Sequence, residues 1–263
     1  MKRFSVILSL LILCMPVSGC NVDEAQNTVD NEVLYQVSTI NALLDGAYDG
    51  QVSIAELQDR GDLGIGTFAT LDGEMIVLDG NTYKARYDGS VEKVDDLQKT
   101  PFAAVTFFDE DERVENAEFA DYESLQKTLD GLIENSNLFY AFKITGDFPY
   151  VKVRSVPPQQ KPYPPLAEVT KNQPTFEFEN VKGTLVGFWC PAFVNGINVP
   201  GYHLHFISED ETMGGHLLES RIKNATILVD QTPSFQMTLS EDSEFGKLRL
   251  DEDKTEELEK VEK

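Results

Sequence analysis

The sequence predicts an α+β fold in two parts: a mixed β-sheet with helices, followed by an antiparallel, barrel-like β domain. Three observations carry this expectation. Short runs rich in β-branched and aromatic residues recur along most of the chain and are broken by Asp-Gly pairs. Helical spacing is confined to a few segments with recognisable caps or a polar outer face. Five prolines at 157, 158, 162, 164 and 165 fall close together, which favours an extended connector over helix or central strand. The expected divisions are a signal over 1–20, a polar stalk over 21–32, an α+β domain over 33–156, a connector over 157–165 and a β domain with a terminal helix over 166–263. No internal repeat is evident.

In chain order, MKRFSVILSLLILCMPVSGC begins with Lys2 and Arg3, runs through an apolar core too short to span a bilayer, and closes on Val17-Ser18-Gly19-Cys20. These are the marks of a secretory signal. Its ending resembles a bacterial lipobox, so Cys20 is the expected lipidation site, with an ordinary signal peptide as the alternative. An exported protein anchored to a bacterial membrane, in the periplasm or on the outer cell surface, follows as the expected location. Cleavage would also remove Cys14 and leave Cys190 as the only thiol able to pair, which rules out an internal disulfide.

Val33 to Leu44 has helix-compatible apolar spacing. Ser53-x-x-Glu56 is a capping box for a second, short helix that Gly61 ends. Strands follow in GIGTFATL, EMIVLDG, NTYKARYDG and PFAAVTFF, and Asp72-Gly73, Asp79-Gly80 and Asp88-Gly89 favour tight hairpins between such runs. Asp121 to Ile133 has amphipathic helical spacing, after which LFYAFKITG and YVKVRSV read as a hairpin across Gly146-Asp147. The glycines of GIGT are too few and wrongly placed for a phosphate loop, and fit strand packing or a site wall. Beyond the prolines, FEFENVKG, TLVGFWCPAF, INVPGYHLHFIS, HLLESRIKN, ATILVDQ and SFQMTLS are all strand-like. Cys190 beside Trp189 reads as core packing. In LDEDKTEELEKVEK, Leu258 and Val261 share a face among charged positions, the pattern of a solvated terminal helix.

The chain carries 45 acidic and 22 basic side chains, a net charge of −23. That balance argues against nucleic acid as a partner, and an anionic substrate would need positive charge supplied locally by a metal or a well-placed arginine. The three histidines, His203, His205 and His216, all lie within GYHLHFISEDETMGGH. Residues i and i+2 share a face only in an extended strand, so His203 and His205 belong on one strand. SEDETMGG has turn chemistry and can return His216 opposite them. Three neutral imidazoles match the ligand set of a catalytic zinc, Zn2+, with an open position, and they leave its charge intact for Lewis-acid work on a substrate oxygen. Other divalent ions fit the same set. Two readings stand at this point: a zinc enzyme, or a zinc-binding lipoprotein without catalytic activity.

The strings YQVSTINALLDGAYDG, GIGTFATLDGEM, PFAAVTFF, NLFYAFKITGDF, GTLVGFWCPAFVNGINVPGYHLHFI and GGH, in this order, together resemble the alpha-acetolactate decarboxylase family from about Tyr35 onward. The resemblance implies a zinc-dependent lyase that converts (S)-2-acetolactate to (R)-acetoin and carbon dioxide through a metal-stabilised enediolate, on the route to acetoin and butanediol. It also implies a two-domain fold and a homodimer. The family's zinc ligands fall on His203, His205 and His216. Its active-site glutamate falls on Glu74 of LDGEM, its arginine on Arg154 of VKVRSV, and a glutamate near the C-terminus on Glu262, with Glu259 one helical turn away. Taken without the family, Glu74 is an exposed residue after a turn, Arg154 a partner in a surface ion pair and Glu262 a solvated charge on a fraying end.

Overall fold

The computed structural model describes residues 31–262. The expected signal, Cys20 and nearly all of the stalk lie outside them. Strands dominate, joined by a few short helices. The first sheet has seven strands in the order β14-β1-β8-β3-β4-β5-β6. They are β1 (Val33–Val37), β3 (Leu63–Thr67), β4 (Glu74–Leu78), β5 (Asn81–Ala85), β6 (Val91–Lys93), β8 (Ala103–Thr106) and β14 (Ser234–Thr238). The second sheet has the order β10-β11-β12-β13-β9, with β10 also paired to β13. Its members are β9 (Glu112–Phe119), β10 (Phe139–Arg154), β11 (Thr175–Cys190), β12 (Gly201–Ser208) and β13 (Gly214–Thr232). A small ribbon pairs β2 (Val52–Ser53) with β7 (Lys99–Thr100). The helices are α1 (Ile40–Leu44), α2 (Ile54–Gln58), α3 (Tyr122–Asp130), α4 (Leu166–Val169) and α5 (Thr255–Glu262). Among the described residues, no helix is long and apolar enough to cross a membrane.

Several local expectations match. The Ser53/Glu56 capping box forms in both directions at α2, and Asp121 caps α3. Asp79 and Gly80 take φ of 50° and 74°, the left-handed pair that a two-residue hairpin between β4 and β5 requires. Gly64 and Gly66 of β3 are needed for close approach, since a Cβ would come within 2.3 Å of the Ala104 carbonyl oxygen and 2.4 Å of that of Phe102. Cys190 is a buried free thiol.

Other expectations are corrected. The helix expected over 33–44 is half strand. Residues 34–37 are buried on both faces between β8 and β14, and such a strand reads as a continuous apolar run with no period of 2. The chain turns at Ser38, with φ of 62°, and Thr39 then caps the five-residue α1. Gly146-Asp147 is no hairpin, because β10 runs through it as one strand of 16 residues. The ladder shifts register there, and Gly146 lets the backbone approach Ile222 and Lys223; in this strand glycine marks a bulge, not a turn. For the same reason FEFENVKG and TLVGFWC join as β11, and HLLESRIKN and ATILVDQ join as β13. Strand β9 was not expected at all: it pairs only with β13 and most of its residues face solvent, so its sequence stays polar.

The prolines of 157–165 do not separate the two sheets. β10, from before them, lies in the second sheet, and β14, from after them, lies at the edge of the first, parallel to β1. A proline run dictates a locally extended chain and carries no information on which strands pair across it.

Strand periodicity decides what faces what. In β4, Met75 and Val77 pack with Ile54 and Leu57 of α2, while Ile76 points the other way and packs with Val186 and Ile207 of the second sheet. Glu74 shares the Ile76 face, so it points between the sheets. In β12, Leu204 and Phe206 join the core that includes Leu125 and Leu129 of α3, which leaves His203 and His205 on the face shared with Ile207. Two alternations thus aim an acid and two imidazoles into one gap.

Candidate active site

The histidine pattern folds as the spacing requires. His205 sits opposite His216 in the β12–β13 ladder, and His216 sits opposite Arg154 in the β10–β13 ladder. One ligand atom from each histidine lies within 4.8 Å of the other two, and ring centroids are 4.9 to 5.4 Å apart. His203 Nε2 and His216 Nδ1 are 3.1 Å apart. His205 Nδ1 lies 2.7 Å from the Met75 carbonyl oxygen, across the sheet interface. A carbonyl only accepts, so the Nδ1–H donates and His205 Nε2 carries the lone pair. That Nε2 is buried and has no hydrogen-bond partner. An orphaned, fixed imidazole nitrogen facing two others is a donor set fit for a divalent cation, with the carbonyl acting as the outer partner that orients a metal-binding histidine. Burial, and Arg154 nearby, push the His203 pKa down to about 3. Burial holds His205 and His216 well below the ordinary histidine range as well. All three are therefore neutral at physiological pH, the form that binds metal.

Glu74, Arg154 and Glu262 stand against this cluster. Arg154 Nη1 donates to Glu74 Oε1 at 2.7 Å, and Glu74 Oε2 is 3.6 Å from His205 Nε2. Glu262 comes in from α5. Its Oε2 lies 3.7 Å from His216 Nε2 and 3.9 Å from His203 Nε2, and its Oε1 lies 4.0 Å from Arg154 Nη2. Burial raises both carboxyls to about 7, with Arg154 opposing the rise in each case. Arg154 keeps one unsatisfied donor, because its Nε is buried without a partner.

All six residues singled out from the sequence therefore converge. The bland readings of the three charged ones are corrected. Glu74 and Arg154 are 6% and 4% exposed, the side chain of Glu262 is 16% exposed, and Leu258 and Val261 of the terminal helix are buried. The helix is solvated on its outer face only, because its apolar face completes a core with Ile40, Leu43, Leu71 and Phe102. Sequence reasoning missed the carbonyl of Met75, since a backbone atom leaves no trace in residue type. It also missed the apolar wall. A cavity of about 40 Å³ beside Glu74, Arg154, His203 and Glu262 is lined by Leu43, Leu71, Phe102 and Leu166 among others. On the other side of Glu262 a cleft of about 640 Å³ opens past His216, Tyr122 and Trp189.

Comparison with known proteins bears on this arrangement. The alpha-acetolactate decarboxylase family model matches residues 34–252. A Methanosarcina mazei alpha-acetolactate decarboxylase is 47% identical over 92% of this chain and 86% of its own length. The Brevibacillus brevis alpha-acetolactate decarboxylase is 45% identical over 84% of this chain and 78% of its own length. The crystal structure of the Bacillus subtilis strain 168 alpha-acetolactate decarboxylase superposes with a TM-score of 0.85 at 41% identity, covering 88% of this chain and 99% of that one. The match extends over the whole frame that brings the histidines, Glu74 and Arg154 together, and the chain belongs to the alpha-acetolactate decarboxylase family.

Proposed function

We propose that this acetolactate decarboxylase works with a zinc ion held by His203, His205 and His216, and releases carbon dioxide from (S)-2-acetolactate to leave (R)-acetoin. The observation that carries this reading is the orphaned Nε2 of His205, locked by the Met75 carbonyl toward the other two imidazoles and bordered by an arginine between two buried carboxyls. When bound, the cation supplies Lewis-acid stabilisation of negative charge on the substrate's neighbouring oxygens.

The chain's own groups account for the rest. Nη1 of Arg154 is committed to Glu74, which leaves Nε and Nη2 as a planar pair of donors for the substrate carboxylate. As the bond from that carboxylate to its carbon breaks, carbon dioxide departs and the electron pair passes toward the adjacent ketone oxygen. The carbon must then take back one proton. Glu74 and Glu262 are the acids that border the histidines, and burial pushes both carboxyls above the ordinary carboxylate range, toward holding a proton that can be given up. Because Glu74 comes from the first sheet and Glu262 from α5, the two acids approach from different elements, and the one that delivers the proton fixes the hand of acetoin. The apolar wall excludes water and accommodates the substrate's methyl groups.

The reading extends to the parts outside the described residues. We place the mature protein on a lipid at Cys20, exported and attached to a bacterial membrane, and working as a homodimer. The test is to purify residues 21–263, measure bound metal by mass spectrometry, and follow acetoin from racemic acetolactate with chiral chromatography. Stoichiometric zinc and a single acetoin enantiomer are expected. Bound zinc with no acetoin would overturn the catalytic reading.

A further inference from the structure

Glu262 is the last turn of an eight-residue helix at the end of the described chain, and a helix that short does not hold itself in place in water. Leu258 and Val261 anchor one face in the apolar core, but apolar contact is non-directional and leaves sliding and rocking open. The directional contacts come from elsewhere. Asn41 of α1, 4% exposed, donates through Nδ2 to the carbonyls of Leu250 at 3.3 Å and Glu252 at 3.1 Å. Lys254 Nζ, on a side chain only 9% exposed, lies 2.7 Å from Asp45 Oδ1, with Glu257 Oε2 farther off at 3.9 Å. Asn195 Nδ2 donates to Thr255 Oγ1 at 3.0 Å.

Asn41 lies in α1 and Asp45, four residues on, caps its C-terminus, so one short element meets residues 250, 252 and 254 of the incoming tail. The same helix lines the cavity beside Arg154 with Ile40 and Leu43. A single short element therefore references the tail to the chamber it closes.

We propose that Asn41 and Asp45 form a clamp on residues 250–254 that seats α5 and sets the Glu262 carboxylate against the histidines and Arg154. They are positioning residues, and the inference rests on the role given to Glu262 above. A displacement of about 1 Å at a reacting group costs up to about 10²-fold in rate, so loosening the clamp lowers kcat while leaving the substrate's anchor at Arg154, and hence KM, nearly unchanged.

The test uses the metal-loaded protein in Asp45→Asn and Lys254→Met, the second keeping the buried stem that packs at the helix start. Amide exchange of residues 255–262 is expected to accelerate by about tenfold or more, which corresponds to the loss of roughly 1.4 kcal/mol of local stability. Bound metal stays the same and kcat falls. In a Glu262→Gln background the clamp variants produce no further loss, and Lys254→Arg restores both exchange and turnover. Unchanged exchange in 255–262 overturns the clamp, as does a loss of turnover that adds to that of Glu262→Gln. Full activity in Glu262→Gln with the clamp intact overturns instead the role of that carboxylate, and the clamp's functional part with it.

Discussion

Arg154→Met removes the guanidinium while keeping an apolar stem of similar reach in a site where the residue is 4% exposed. Of the guanidinium's donors, Nη1 is occupied by Glu74 at 2.7 Å, and Nε is buried and unpaired. With Arg154 as the proposed anchor of the substrate carboxylate, two hydrogen bonds, from Nε and Nη2, would be lost. At about 1.5–3 kcal/mol for each bond involving a charged group, the loss is roughly 3–6 kcal/mol. One factor of ten per 1.36 kcal/mol makes that about a 10²- to 10⁴-fold fall in kcat/KM. The assay is initial-rate acetoin formation, with bound metal measured on the same sample. Metal content should hold, because His205 is oriented by the Met75 carbonyl and not by Arg154. Arg154→Lys keeps the charge without the fork and should recover only part of the loss. A kcat/KM within about threefold of wild type in Arg154→Met would refute the assignment of the arginine as the carboxylate's anchor.

His205→Ala should lose bound metal and turnover together, since it removes the one fixed nitrogen of the set; stoichiometric metal in that variant would remove His205 from the ligands. Deleting residues 258–263 should leave metal bound but lower kcat by about 10²-fold or more, the scale of a positioned acid–base group, and intact turnover would dismiss the tail from the chemistry. Asp230, 2% exposed, has its carboxyl raised to about 7 by burial, with Asp111, Glu32 and Asp109 adding to the rise against a hydrogen bond from the Asp109 amide. The folded state thus holds a proton on Asp230 that the unfolded chain releases near pH 4, so this group's contribution to stability is greatest below about pH 4 and declines as pH rises to 7. Asp230→Asn should remove this group's share of the decline, which Glu74 and Glu262 also carry, with a gain over wild type that grows to about 4 kcal/mol at most by pH 8. A gain independent of pH, in denaturant titrations from pH 4 to 8, would show that Asp230 is not the group responsible.

Local chemistry was legible where one residue type has one physical use. The Ser53/Glu56 box, the Asp79-Gly80 turn and the alternation of His203 with His205 all depend on neighbours within a few residues, and each appears in the structure as its pattern requires. Long-range pairing was not legible. Gly146 in β10 has the same letter as a turn glycine, and only the approach of Ile222 and Lys223, some 75 residues on, makes it a bulge. β1 looks helical because burial on both faces erases the period that identifies a strand. The site divides along the same line. Three histidines in one short stretch declare themselves, whereas the burial of Glu74 and Glu262 depends on the second sheet and on α1, and nothing near either residue in sequence encodes it.

The proposed requirement is for one divalent cation on His203, His205 and His216 in decarboxylation. Its most direct test is to strip the purified protein with a chelator, titrate zinc back, and record acetoin formation and bound metal at each step. Turnover should vanish in the stripped protein and return in proportion to metal, reaching its plateau at one ion per chain, the capacity of the single three-histidine group among the described residues. Full turnover in protein that holds no metal would contradict it.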